Sequence, residues 1–148
     1  MALEASSRLL CRSTGKNESM NKTILLIEDN EQNCYLLTFL LERHGYTVVA
    51  AFDGASGIEV ANAILPNAIL LDMQLPHIDG YEVARALRHS PSQQRTPIIA
   101  VTSYAMSGDR EKALAAGCNG YIEKPINPST FVSEMEIFLP SIEQGEKQ

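Results

Sequence analysis

Five short apolar runs recur along this chain with helix-patterned segments between them: TILLI (23–27), TVVAA (47–51), AILL (68–71), PIIAV (97–101) and GYI (120–122). Strands that alternate with helices belong to an α/β domain with a parallel sheet, because consecutive parallel strands can be joined only by a crossover. The middle runs are continuously apolar, as strands covered on both faces must be. The covers lie in between. Leu37, Leu40 and Leu41 form one stripe on a helix from about Glu31, closed by His44-Gly45 with a glycine suited to a left-handed cap. Ile58, Ala61 and Leu65 form the stripe of a second helix. Asp79, with Glu82 three residues on, starts a third whose inner face includes Val83 and Leu87. Ala113, Leu114 and Ala116 with Gly117 mark a fourth helix and its end. Asn127-Pro128 reads as a cap and first-turn proline before Phe131, Met135 and Phe138 on the fifth.

Right-handed crossovers bring the carboxyl ends of all these strands to one rim of the sheet, where ligands of open α/β sheets bind. Glu28-Asp29 follows the first strand, Asp72 the third, Thr102 the fourth and Lys124-Pro125 the fifth. Singly, each is an ordinary cap or solvated loop residue. Together, three carboxylates a few ångströms apart repel by several kcal/mol in a half-buried cleft, so the site needs cations. A divalent metal and Lys124 supply three positive charges against three negative ones. All-oxygen ligands select a hard ion, and Mg²⁺ fits because it keeps waters and a phosphoryl oxygen in its shell. A phosphoryl group on Asp72 is then clamped by the metal, by the Lys124 ammonium and by the Thr102 hydroxyl, which are the parts that phosphoryl transfer needs.

The set E-D-N at 28–30, LLDMQLPHIDG around Asp72, AVTSYAMSGD around Thr102 and GYIEKPI around Lys124 resembles the receiver domain of two-component response regulators, over about residues 23–139. The resemblance implies a flavodoxin-like, doubly wound (βα)5 sandwich with a five-stranded parallel sheet in the order 2-1-3-4-5. It implies that Asp72 is the phosphoacceptor, taking its group from the phosphohistidine of a sensor histidine kinase or a histidine phosphotransfer protein. Asp29 is expected to ligate Mg²⁺ directly, Glu28 largely through water, and Gln74 through its backbone carbonyl. Lys124 is expected to bind phosphoryl oxygens, with its bond to Pro125 cis. In the family's switch, Thr102 moves onto the phosphoryl group and Tyr121 rotates inward behind it. Gln74 and Tyr104 occupy the positions that tune the lifetime of the phosphorylated state. Glu28 stands where many members have Asp. His77, Met73, Met106 and Met135 receive no role beyond loop or packing residues.

The rest of the sequence bounds this reading. The chain has 148 residues, 45% of them hydrophobic and 20% charged, enough for one domain with a real core. We expect a flexible extension over 1–21, a receiver over 22–140 and a flexible tail over 141–148, with Met20 a candidate functional start. A net charge of −6 leaves no cationic surplus for nucleic acid, so direct DNA binding is not expected. Cys11, Cys34 and Cys118 are odd in number and far apart, which suggests neither a disulfide framework nor a zinc site. No run is long enough to span a membrane and no secretory signal is evident, so a cytoplasmic protein is expected.

A stand-alone signalling module is the reading these features favour, acting through a downstream protein target or onward phosphotransfer, as a monomer or a phosphorylation-dependent dimer. A phosphorylation-independent scaffold and a receiver fragment of a hybrid histidine kinase are the alternatives. A turnover phosphatase wants a second carboxylate two residues after the nucleophile, where this chain has Gln74, so an enzyme in that sense is not expected. A flavin carrier of the same topology needs a phosphate-binding loop where this chain has EDNEQN, which repels phosphate.

Overall fold

The apolar runs do become strands, two of them with the same bounds and the last three reaching one residue further at their polar ends. The structure, a computed structural model, describes residues 22–103 and 108–140. The expected extension and tail, the Met20 start, Tyr104 and Met106 lie outside the described residues. The strands are β1 (Thr23–Ile27), β2 (Thr47–Ala51), β3 (Ala68–Asp72), β4 (Ile98–Thr102) and β5 (Gly120–Glu123). All pair in parallel, in the order β2-β1-β3-β4-β5. β4 starts one residue after Pro97, which has no N–H to give the ladder but whose carbonyl accepts from Ile69 at 2.8 Å.

The helices are α1 (Glu31–Arg43), α2 (Gly54–Ile64), α3 (Gly80–His89), α4 (Asp109–Ala116) and α5 (Phe131–Ile137), with a 3-10 turn at Pro91–Gln93. Because strand side chains alternate, the sheet has two apolar faces. Ile24, Leu26, Leu70, Ile99 and Val101 meet α1 and α5 through Leu37, Leu41, Phe131 and Met135. Leu25, Ile27, Ile69, Leu71, Ile98 and Ala100 meet α2, α3 and α4 through Ala61, Val83, Leu87, Ala113 and Ala116. Two cores back to back on one sheet make the doubly wound sandwich that the sequence implies. Among the described residues, no helix is long and apolar enough to cross a membrane.

Two local expectations are corrected. Leu65 was placed on the buried stripe of α2 but is 59% exposed, capping the helix in the left-handed conformation (φ 53°). Pro66 follows it, and the ring of a proline bars the preceding residue from the helical region, so the helix stops at Ile64. In α4, Ala113 and Ala116, three residues apart, fill the inner face and leave Leu114 exposed. Asn127 was expected to cap α5 itself. It caps the turn leading into it: its side chain accepts from Ser129 N–H, its carbonyl accepts from Thr130 and Phe131 N–H, and α5 begins at Phe131.

Candidate functional site

β1 and β3 lie side by side in the middle of the sheet and end at the same level, since Ile27 pairs with Leu71. Glu28 and Asp72 are therefore carried to the rim as neighbours. Glu28 N–H continues the ladder by donating to Ala51 O at 3.0 Å, and its side chain accepts from Asn30 N–H at 3.1 Å. Asn30 in turn caps α1 by accepting from Asn33 N–H at 2.9 Å. Glu28 is thereby fixed from both ends of a two-residue turn, leaving Asp29 between them exposed. One oxygen from each of Glu28, Asp29 and Asp72 lies within 4.8 Å of the others, a spacing that a single cation can bridge.

Glu28 and Asp72 are almost fully buried, 1% and 3% exposed. Lys124 reaches in from the end of β5 to balance them, its Nζ 3.2 Å from Glu28 Oε1 and 3.5 Å from Asp72 Oδ1. Its backbone N–H donates to Thr102 O at 2.7 Å, which ties the β5 end to the β4 end, and its peptide bond to Pro125 is cis. One ammonium against three carboxylates leaves the cluster net negative. Burial and then the Asp72 charge push the Glu28 carboxyl above its ordinary value, against the opposing pull of Lys124. An oxygen-lined, net-negative cleft of this kind fits a hard divalent cation.

Asp72 leaves β3 into a loop that turns back sharply on the strand. Gly80 makes that return possible: a Cβ there would sit 2.6 Å from Met73 Cα and 2.8 Å from Asp72 O, both backbone atoms that cannot move aside. Asp79 then caps α3 by accepting from Glu82 N–H at 3.0 Å. The Asp-Gly pair after the loop thus serves the geometry of Asp72 without entering the cleft. His77 is exposed in that loop with a positive φ of 70°.

The opposite wall is Thr102, the last residue of β4 and 2% exposed. Gln74 spans the two walls. Its backbone N–H donates to Asp72 Oδ1 at 3.0 Å, its side-chain Nε2 donates to Thr102 Oγ1 at 2.5 Å, and its Oε1 accepts from Ser103 N–H and from Ser103 Oγ at 3.3 and 3.1 Å. The side-chain half of this arrangement, and Ser103 with it, was not anticipated from the sequence. The available signal was a hydroxyl residue next to Thr102 on the rim, facing a long amide two residues past Asp72. Tyr121 lies on β5, partly buried against the α2–α4 face of the sheet, and burial raises its phenol above the ordinary range.

Glu28, Asp29, Asp72, Gln74, Thr102 and Lys124 thus meet at one rim, with Tyr121 further back on β5. Known proteins share this frame. Residues 24–136 match the family model described as response regulator receiver domain. The polar-differentiation response regulator DivK of Brucella ovis is 37% identical over 120 residues, covering 81% of this chain and 98% of that protein. Among solved structures, the receiver domain of the sensor histidine kinase PA1611 from Pseudomonas aeruginosa, with a magnesium ion coordinated in its active-site cleft, is 36% identical with a TM-score of 0.75. That match covers 82% of this chain and 99% of the other. The chemotaxis protein CheY4 of Vibrio cholerae superposes with a TM-score of 0.77 at 25% identity, covering 80% of this chain and 98% of that one. With the topology, the rim and these matches in agreement, the chain belongs to the response regulator receiver domain family.

Proposed function

We propose that this receiver accepts a phosphoryl group on Asp72 from a protein phosphohistidine in a Mg²⁺-dependent reaction, and that the phosphorylated form signals by protein contact or passes the group on. The observation that carries this reading is the buried Asp72 carboxylate with the Lys124 ammonium beside it and two further carboxylates within reach of one cation. A carboxylate oxygen of Asp72 attacks phosphorus, the O–P bond forms as the N–P bond of the phosphohistidine breaks, and the leaving imidazole keeps the electron pair and takes up a proton. Asp29, Asp72 and the Gln74 carbonyl would hold Mg²⁺, with Glu28 acting through water. The ion would neutralise charge as phosphoryl oxygens approach three acids. Lys124 and the Thr102 hydroxyl hold those oxygens, and Thr102 and Tyr121 carry the change outward. The Gln74 amide does not titrate, so it cannot serve as the acid–base partner of a turnover phosphatase, and we assign no such activity.

The donor is a sensor kinase or histidine phosphotransfer protein of the cytoplasm. The outward face of α1, the helix that starts at the acidic rim, exposes Tyr35 and Phe39 one turn apart and supplies an apolar contact for it. A self-contained regulator is supported by the match to nearly the whole length of DivK. A receiver working inside a kinase chain is the second reading, supported by the comparable likeness to the PA1611 receiver.

Intact mass after incubation with acetyl phosphate tests the chemistry. We expect one phosphoryl adduct that forms with Mg²⁺, is lost on its removal, and is lost in Asp72→Asn. A folded sample that gives no adduct, from acetyl phosphate or from a panel of phosphorylated histidine proteins, would favour a phosphorylation-independent scaffold.

A further inference from the structure

Gln74 and Ser103 form a cross-cleft connection that the phosphoacceptor chemistry does not itself require. The Gln74 amide joins the loop after β3 to the end of β4. Its NH2 end points at the Thr102 hydroxyl and its carbonyl end is held by two donors from Ser103. Those two donors set which way round the amide sits, because a flipped amide would put an NH2 against the Ser103 N–H and a carbonyl against Thr102. The backbone of Gln74 is anchored separately, on Asp72. The side chain is thus free to let go of Thr102 without disturbing the loop that carries Asp72.

We propose that Gln74, oriented by Ser103, is a latch that holds Thr102 in its resting place, and that loading Asp72 with a phosphoryl group requires this latch to open. The inference rests on the phosphoacceptor reading above. The Gln74–Thr102 bond joins two neutral groups. A phosphoryl group on Asp72 offers Thr102 charged acceptor oxygens, and bonds to ionised partners are roughly twice as strong. Thr102 Oγ1 accepts from Gln74 but donates to the phosphoryl oxygens, so the two bonds compete for the position of the hydroxyl, and the Gln74 bond given up on loading subtracts from the free energy of loading. Ser103 is a positioning residue in this scheme, since it touches the amide and not the phosphoryl group.

The test follows the Thr102 methyl resonance by NMR and titrates beryllium fluoride, a phosphoryl mimic, in Mg²⁺ with wild type, Gln74→Leu and Ser103→Ala. In wild type the mimic is expected to displace the Thr102 signal. In Gln74→Leu the signal is expected to lie part of the way along that displacement before any mimic is added, and the mimic to bind about fivefold tighter, the equivalent of one neutral hydrogen bond no longer broken on loading. Ser103→Ala keeps one of the two donors to Oε1 and is expected to shift both readouts in the same direction by less. Unmoved Thr102 signals with equal or weaker binding of the mimic in both variants would overturn the latch. A wild type that does not respond to the mimic at all would remove the phosphoacceptor reading and the latch with it. Should Gln74→Leu not fold, Ser103→Ala carries the same two readouts alone, and no change in either overturns the proposal.

Discussion

Among the described residues, Lys124 is the one cation paired with Glu28 and Asp72, and that imbalance makes the cleft a source of instability when no cation fills it. Burial raises the Glu28 carboxyl and Asp72 raises it further. A carboxyl whose folded value lies above its unfolded one favours the folded state most when protonated. Its contribution is complete below the ordinary glutamate value and is lost as pH rises through the raised one. Metal-free protein should therefore lose stability as pH rises from the ordinary glutamate range upward, beyond the trend set by its other groups. Asp72→Asn removes one of the two causes while leaving Lys124 its 3.2 Å partner in Glu28. We expect this substitution to stabilise the metal-free protein at neutral pH by at least about 1 kcal/mol, the bulk-water interaction of unit charges about 4 Å apart, and to flatten the pH dependence. Thermal melts of both proteins across that range, in chelator, check it. An Asp72→Asn protein less stable than wild type would mean that the Lys124 contact outweighs the repulsion.

At the scale of elements, the places where sequence and structure part are helix ends. The stripe Ile58, Ala61, Leu65 has the right spacing for a buried face, and periodicity alone carries it one residue too far. What ends α2 is Pro66, whose steric effect reaches back to Leu65 and leaves a leucine exposed in a left-handed cap. Strand content was legible because continuous apolar runs have few other uses, and a polar residue after every run but TVVAA marks the rim. The Leu65 geometry also yields a prediction. A left-handed backbone costs an L-residue about 1–2 kcal/mol, and glycine escapes it at about 0.4–1 kcal/mol of extra unfolded-chain entropy. Leu65→Gly is expected to stabilise the protein by about 0.5–1 kcal/mol, read as a higher urea midpoint at unchanged slope. A lower midpoint would show that the leucine makes a contact worth more than the strain.

Across the whole molecule, the two rims of the sheet are put to different uses. The rim at the strand carboxyl ends gathers charge that folding would do better without, and its residues were legible together because one topology brings Glu28, Asp29, Asp72, Thr102 and Lys124 to one place. The opposite rim is where the fold is stapled, and nothing in the sequence pattern pointed to it. Arg88, in the last turn of α3, donates to Gly117 O at 2.9 Å, to Gln93 O at 2.6 Å and to Asn119 Oδ1 at 2.7 Å. Asn119 Oδ1 also accepts from Ile98 N–H, the first residue of β4. One guanidinium thus ties α3, the 3-10 turn and the approach to β5 together, and its partial burial shows as a pKa held below the usual arginine value. An arginine near a helix C-terminus reads in sequence as a favourable charge at the dipole, and three acceptors drawn from distant segments leave no periodicity to find. Arg88→Met keeps most of the side-chain volume and leaves those acceptors without their donor. We expect a loss of about 2–3 kcal/mol in urea unfolding, the range for part-buried polar groups that lose a charged partner. Because the staple and the acidic cleft sit at opposite ends of the strands, the folded fraction should still form the phosphoryl adduct to the same extent with acetyl phosphate and Mg²⁺. Unchanged stability would show that water replaces the guanidinium at no cost. Lost adduct formation in a folded sample would show instead that the packing of α3 and α4 transmits strain from one rim to the other.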